Sequence, residues 1–374
     1  MKSNIGIVGG GQLGRMLTLA AKRLGFTVII LDITKNSPAA QVADEHIIGD
    51  IKDEEAIKLL ASKVDFITFE IELANAGGLD NLSKKGVLIN PSAKTLSIIK
   101  DKLLQKQFLK KIKIPTSQFR QVTTFKDIEE AADIFGYPIV LKARQDGYDG
   151  RGNAVINSRK DISKAMKKLE KRALYVEKYV PFVKEIAVVI ARSIKGEVVA
   201  YPVVETIHKN NICHIVIAPA QIKKDIAKYS VKLARKVMKN MNGAGVFCIE
   251  MFLKKNDEVL INEIAPRVHN AGHYTIEASI TSQFEQHIRA ITGLPLGRTN
   301  LRSSAVMINI LGERTGKANL FGLEEVLKMP NVYPHIYGKL TTKIERKMGH
   351  ITVLDTNRKA ALQKAIQARK LIHI

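Results

Sequence analysis

The sequence predicts an α/β protein of about two or three domains, from its 374 residues at roughly 100–200 per domain. Three observations carry that prediction. A short apolar run, a glycine cluster and an amphipathic helical stretch open the chain. A second α/β module follows with its own glycine-rich loop. Late in that module, a hairpin sets two glutamates against each other.

Residues 4–8 read as a buried strand, followed by Gly9, Gly10, Gly11 and Gly14. Leu13, Met16, Leu17, Ala20 and Leu24 then recur at helical spacing, so residues 12–24 are expected to be a helix. A second strand over 27–31 ends at Asp32, and 66–69 and 87–89 are later strands. The opening βαβ unit makes this stretch an open parallel α/β domain. Residues 101–111 read as a charged helix, stopped ahead of Ile114-Pro115 because the residue before a proline avoids helical geometry. Strands are expected at 139–143 and 173–176, with the loop Asp146-Gly147-Tyr148-Asp149-Gly150-Arg151-Gly152 between them. Residues 186–192 and 198–204 read as strands paired across a turn at Lys195-Gly196. A helix over 230–241 leads into strands 246–253 and 259–264. After Gly293 the pattern changes to short strands at 305–311, 332–337 and 350–354 and a terminal helix over 359–369. There is no internal repeat or low-complexity linker.

Composition excludes several classes. Hydrophobic residues are 45% and charged residues 25%, enough apolar side chain to bury real cores. Lys+Arg is 59 against Asp+Glu 36, giving +23, a balance that suits nucleic acid, an anionic membrane or a phosphorylated substrate. Trp is absent and aromatics are 6%, which argues against a stacking-based nucleic-acid binder. The lysines are spread along helical stretches, as on a solvated surface. No apolar run reaches the ~18–20 residues of a membrane span, and the start lacks the ~7–15-residue apolar stretch of a signal peptide. Cys213 and Cys248 make no disulfide framework, so the expectation is a reduced, cytoplasmic protein.

Gly9, Gly11 and Gly14 fit G-x-G-x-x-G, with Asp32 downstream. Physically, such glycines let a phosphate approach the N–H groups of a helix N-terminus; a dinucleotide, another phosphate ester or a tight structural turn all remain open. The second glycine loop directly follows the strand carrying Lys142 and could close over a triphosphate, although no Gly-Lys-Ser/Thr makes it a Walker A loop. A two-residue turn at Asn256-Asp257 places Phe252 opposite Ile261 and Glu250 opposite Glu263. Opposed carboxylates repel, and a cation between them removes the conflict. With phosphate nearby, magnesium is the expected ion. His269 and His273 could hold zinc if helical, but Gly272 within the spacing and Pro266 before it favour a loop, and no third ligand is evident. Arg267 and His269 more plausibly face an anion.

Taken together, Lys142, the DGYDGRGN loop, Glu177-Lys178-Tyr179-Val180 and the Glu250/Asn262-Glu263 pair resemble the ATP-grasp ligases. Within them, the chain is similar to the N5-carboxyaminoimidazole ribonucleotide synthetases of purine biosynthesis. GIVGGGQLGRML, TFEIE, INPS, YPIVLKAR, EKYVPFVKEIAVVIAR, YPVVETIH, INEIAPRVHNAGH, HIYGK and RKMGHI extend the resemblance from residue 5 to 351. It implies an ATP-grasp fold of an N-terminal open parallel domain over 1–100, an ATP-grasp domain over 101–295 and a small β-rich C-terminal domain over 296–374. It also implies ATP- and bicarbonate-dependent carboxylation of 5-aminoimidazole ribonucleotide, with ATP and Mg2+ as cofactors. Lys102 and Lys142 would contact ATP phosphates under a loop formed by Gly147, Tyr148, Asp149, Gly150, Arg151, Gly152 and Asn153. Glu177, Lys178, Tyr179 and Val180 would hold adenine, Glu185 the ribose, with His208 nearby. Glu250 and Glu263 would bind magnesium, assisted by Asn262. Tyr148, Arg151, Arg267 and His269 would surround the aminoimidazole, with His269 or Asp149 accepting its proton. Lys339 and Arg346 would bind the substrate phosphate beside Gly11, Gln12 and Leu13. A homodimer, functionally coupled to the mutase that uses the product, is the expected assembly. The family usually has Ser and Trp where this chain has Ala271 and Tyr274, commonly Arg at Lys102, and Asn at Leu73.

Two rivals stand beside this reading. One is the sibling formate-dependent phosphoribosylglycinamide formyltransferase. The other, from a different class, is a dinucleotide-dependent oxidoreductase resting on the first glycine loop alone.

Overall fold

The structure, a computed structural model, describes residues 3–145 and 152–374. Its first layer is a parallel five-stranded sheet in the order Glu45–Ile48, Thr27–Asp32, Asn4–Val8, Phe66–Phe69, Leu88–Ile89. The central strand Asn4–Val8 is buried almost throughout, as a parallel strand covered on both faces must be. The helix Gln12–Arg23 buries Leu13, Met16, Leu17 and Ala21 on one side, the face its spacing predicts.

A four-stranded antiparallel sheet follows in the order Phe119–Val122, Leu174–Lys178, Ile139–Ala143, Asn153–Ile156. The third sheet has nine strands among the described residues. One edge is the hairpin Gly245–Lys254 and Val259–Ala265, and the sheet runs through Phe182–Arg192, Val204–Lys209 and Ile212–Ala218. It then continues without a break into Ala305–Leu311, Lys347–Leu354 and Val332–Ile336. The C-terminal strands therefore extend the central sheet rather than closing on themselves.

Three details differ from the sequence expectation. The strand expected over 198–204 divides into Val198–Ala200 and a separate Val204–Lys209, because Pro202 between them has no N–H for the ladder. The helix expected from Ser230 begins at Lys224. In the hairpin, Phe252 lies opposite Leu260, not Ile261. The turn holds three residues, Lys255 to Asp257, closed by the Lys254 N–H to Glu258 carbonyl bond at 2.9 Å, with Asp257 at φ +64°. A β-bulge between the Glu250 and Met251 pairings restores the Glu250–Glu263 opposition.

One core joins the layers. Ile5, Ile7 and Leu17 of the first sheet and its helix cluster with Val189 and Cys248 of the central sheet and with Met307 and Tyr337 of the C-terminal part. Among the described residues, no helix is long and apolar enough to cross a membrane.

Candidate active site

The first glycine loop is occupied by the chain itself. The Gly10 N–H donates to Asp32 Oδ2 at 2.8 Å, and Asp32 Oδ1 accepts from the Thr34 N–H. The Gly11 and Gly14 N–H groups donate to the Glu70 carboxylate, Gly14 at 2.6 Å. A carboxylate at the helix N-terminus satisfies the free donors there, as a phosphate would. Asp32, the group a dinucleotide ribose would need, is already spent on the loop, and a pyrophosphate would meet Glu70. The oxidoreductase reading loses its only support. Leu13 buries its side chain in the core, so only its main chain is available to a ligand.

The residues expected to bind ATP are built around Glu177, which is 2% exposed. Its carboxylate takes Lys142 Nζ at 2.9 Å, Lys106 Nζ at 3.2 Å, Tyr175 Oη at 2.7 Å and Ser117 Oγ at 2.5 Å. Burial alone would push this carboxyl up, but Lys106 and Lys142 overcome it and hold the group well below the usual range. For Lys106, burial wins over Glu177 and brings the ammonium down to about 8. Glu177 thus points inward and fixes Lys142, a role that strand position alone did not reveal. The Lys178 N–H donates to the Gln118 carbonyl, the Tyr179 N–H to that of Pro138, and the Val180 carbonyl accepts from the Phe182 N–H. Lys142 pairs in the ladder with Asn153, and Gly152 accepts from the Ala143 N–H. Gly147, Tyr148, Asp149, Gly150 and Arg151 lie outside the described residues. Glu185 contacts His208 Nδ1; burial opposes protonation there, yet the carboxylate raises the imidazole's pKa.

The carboxylate pair lies beside this region. Glu263 Oε2 takes Lys102 Nζ at 2.7 Å, and Lys102 outweighs burial to keep Glu263 low. Glu250 faces Glu263 across the ladder; burial and that neighbour push its carboxyl up to about 7. Two facing carboxylates beside Lys102 and Lys142 offer the oxygen donors that suit Mg2+. Among the described residues there is no cluster of three or more His, Cys, Asp or Glu that could hold a metal ion.

His269 Nε2 lies 3.3 Å from Glu250 Oε1, and its Nδ1 accepts from the Ala271 N–H. Burial and Arg267 drive His269 well below its ordinary value, so it is neutral. With Nδ1 accepting, the proton is assigned to Nε2, facing Glu250. His269 and His273 flank a short 3-10 turn, Asn270–Gly272, as the glycine implied, and Gln283 grips the His269 main chain at both N–H and carbonyl. Arg267 Nε meets Glu72 at 2.8 Å, and the pairing prevails over burial to raise the guanidinium's pKa. Glu70 and Glu72, two residues apart just past a parallel strand, were visible only as the TFEIE stretch; their shared polarity inside an apolar run was the available signal.

The C-terminal segment reaches this centre from the other side. The Gly338 carbonyl accepts from Gln41 Nε2 at 2.8 Å, and Gln41 Oε1 accepts from Arg15 in the first turns of the 12–23 helix. Lys339 follows, donating to the Lys347 carbonyl and lying over the Tyr337 ring. Arg346 binds the Thr341 carbonyl and hydroxyl. Lys339 and Arg346 are thus on a segment docked beside the glycine loop, and Arg15 is a third cation there that sequence reading passed over.

Sequence patterns of known domains match the chain in three stretches: the ribonucleotide synthetase preATP-grasp domain over residues 1–100, the ATP-grasp domain over 107–284, and the phosphoribosylaminoimidazole carboxylase C-terminal domain over 305–364. The N5-carboxyaminoimidazole ribonucleotide synthase of Bacillus subtilis is 39% identical over 350 residues, covering 94% of this chain and 91% of that protein. The chain belongs to the N5-carboxyaminoimidazole ribonucleotide synthetase family. The synthetase of Thermotoga maritima superimposes with a TM-score of 0.91 at 47% identity over 99% of both chains. The family's Aspergillus clavatus synthase, solved with ADP and 5-aminoimidazole ribonucleotide, gives 0.91 at 38% identity over 99% of both chains. A phosphoribosylaminoimidazole carboxylase of Candida albicans is 46% identical over 365 residues, and this chain spans 64% of its length.

Proposed function

We propose that this chain forms N5-carboxyaminoimidazole ribonucleotide from 5-aminoimidazole ribonucleotide, ATP and bicarbonate in purine biosynthesis. The observation that carries the reading is a continuous set of contacts: Lys142 on Glu177, Lys102 on Glu263, Glu250 beside His269, and Arg267 on Glu72. In this reading these contacts form the nucleotide-phosphate region, and Arg15, Lys339 and Arg346, on the glycine-loop helix and the C-terminal segment that docks on it, take the substrate phosphate. Two phosphate regions flanking one centre suit a ligase and do not suit hydride transfer.

In this reading, a bicarbonate oxygen attacks the γ-phosphorus of ATP, the bond to ADP breaks, and carboxyphosphate forms. The carbon–oxygen bond of carboxyphosphate then breaks, releasing phosphate and carbon dioxide beside the ribonucleotide; the exocyclic amine bonds to the carbon of carbon dioxide as one of its C=O π pairs moves to oxygen, and the amine loses a proton. Lys142, aimed by Glu177, and Lys102 neutralise the triphosphate. Arg267, held by Glu72, presents a planar fork to bicarbonate or the departing phosphate. His269 is a weak candidate for the proton acceptor in its resting tautomer, because Nδ1 is occupied and Nε2 carries the hydrogen. Asp149 is the other candidate. We assign Mg2+ to Glu250 and Glu263 with Asn262 beside them; when bound, it screens phosphate charge. The family resemblance extends the proposal to a homodimer coupled to the mutase that takes the product.

Labelled bicarbonate tests the reading. Label is expected in an acid-labile carbamate on the aminoimidazole only when ATP and the ribonucleotide are both present. Formate entering phosphoribosylglycinamide would instead assign the sibling activity, and no ATP turnover with either acceptor would reject both.

A further inference from the structure

The 250/263 pair exists only because of the bulge. In the turn-proximal part of the hairpin, Leu253 pairs with Val259, Phe252 with Leu260 and Met251 with Ile261. Continued regularly, that register would set Asn262 opposite Glu250. Side chains alternate along a strand, so Glu263 would then turn to the other face. That face is apolar, occupied by Ile249, Met251, Ile261 and Ile264. One inserted residue turns Glu263 toward Glu250 and Ile264 into the core.

The strand Val259–Ala265 is a sheet edge, so its outward N–H and C=O groups need partners from elsewhere. In an unbroken strand they would recur every second residue. Here the outward groups are those of Ile261 and Ile264, three apart. Ile261 is held by the Pro115 carbonyl at 2.9 Å and the Thr116 hydroxyl at 2.7 Å. Ile264 is held by one side chain, Gln105 of the helix Lys102–Lys111. Its Oε1 accepts from the Ile264 N–H at 2.9 Å and its Nε2 donates to the Ile264 carbonyl at 3.1 Å. Gln105 is 2% exposed, and its amide mimics the missing neighbour strand at the residue that must be displaced. The same helix sends Lys102 to the Glu263 carboxylate.

We propose that Gln105 is a positioning residue for the metal-binding pair, locking the bulge so that Glu263 faces Glu250. The inference rests on the assignment of Mg2+ to these two glutamates. Slippage by one residue is the alternative it suppresses.

The test is Gln105→Met, which keeps the length and helix preference and removes both hydrogen bonds. In the metal-free protein, hydrogen exchange of the peptide spanning residues 259–266 is expected to rise about tenfold, with peptides from residues 4–32 unchanged. The Mg2+ concentration for half-maximal ATP turnover is expected to rise about tenfold, with the KM for the ribonucleotide within twofold. Gln105→Glu is the second variant. Its carboxylic acid, when protonated, can accept and donate like the amide, so its exchange deficit against wild type is expected to shrink from pH 8 to pH 6, whereas that of Gln105→Met does not. Exchange that rises equally along the whole chain would show a merely structural residue and overturn the proposal. So would unchanged exchange at 259–266. Glu263→Gln separates the two layers of the argument. An unchanged Mg2+ requirement there would overturn the metal assignment. A changed requirement in Glu263→Gln with none in Gln105→Met would overturn only the role of Gln105.

Discussion

Glu177 shows how much one buried charge can organise. Four donors converge on its carboxylate, two of them ammonium groups. Removing one side of a buried charge set costs about 3–5 kcal/mol, because the remaining charges lose their partner inside a low-dielectric region. Glu177→Gln is therefore expected to lower stability by about that amount. It should also raise the KM for ATP at least tenfold, since Lys142 loses its aim. Denaturant melts and initial-rate kinetics check both. Wild-type ATP affinity in a folded variant would show that Lys142 is directed by something else. The sequence pointed to Lys142 because it sits one strand ahead of a glycine loop. It did not reveal Lys106 or Gln105, which read as ordinary polar positions on a charged helix. Periodicity tells which face of a helix a residue occupies, but not that the facing layer contains a lone carboxylate or an unsatisfied strand edge.

At the scale of elements, the hairpin was read correctly for an incomplete reason. A two-residue turn with no bulge puts Glu250 opposite Glu263, and so does a three-residue turn with one bulge. The two departures cancel beyond residue 262 and show only nearer the turn. Bulges are invisible to an alternation count when the inserted residue is polar, as Asn262 is. A second junction between elements had no sequence signal at all. His287 of the helix Gln283–Thr292 accepts the Val246 N–H at Nδ1, 3.0 Å, and its Nε2 meets Thr68 Oγ1 at 2.8 Å. It thereby ties the central sheet to the parallel one. His287→Leu leaves the Val246 N–H and the Thr68 hydroxyl buried without that partner, each worth about 1–3 kcal/mol. The expected outcome is a loss of about 2–6 kcal/mol in a denaturant melt, with substrate KM values unchanged. A loss below 0.5 kcal/mol would mean that the two layers are held by apolar contact alone.

Across the whole molecule, the layers meet at histidines that the fold keeps neutral. Burial lowers His287 to about 3, and it drives His273, His350 and His269 well below the ordinary value. His350 lies at the junction of the C-terminal strands, bonded to Tyr337 at 2.9 Å and stacked on His335 with ring centres 4.4 Å apart, and His273 is 4.9 Å away. Lys347 lies close enough to oppose protonation of His273 and His269, as does Arg267, while Glu277 is bound by His335 rather than by the other two rings. A histidine whose pKa is depressed on folding takes up its proton only when the chain unfolds. Its contribution is intact above the unfolded value of about 6.5 and is lost as the pH falls toward the folded value. One proton taken up on unfolding, as at His287, gives a slope of about 1.4 kcal/mol per pH unit, and the other buried imidazoles add to it in the same direction. Typical domains have only about 5–15 kcal/mol to lose. Cooperative acid unfolding is therefore expected between about pH 4 and 6, above the range where carboxylates alone would cause it. Stability in that interval should fall with falling pH, with the buried imidazoles taking up protons on unfolding and Glu250, raised to about 7 in the folded protein, releasing one and offsetting part of the slope. His287→Gln should reduce the slope by about one proton even though it lowers stability at pH 7, because the glutamine cannot titrate. A slope of one proton or fewer in the wild-type protein would mean that these imidazoles are reached by water and charge in place, and that the seams between the layers open well before the chain unfolds.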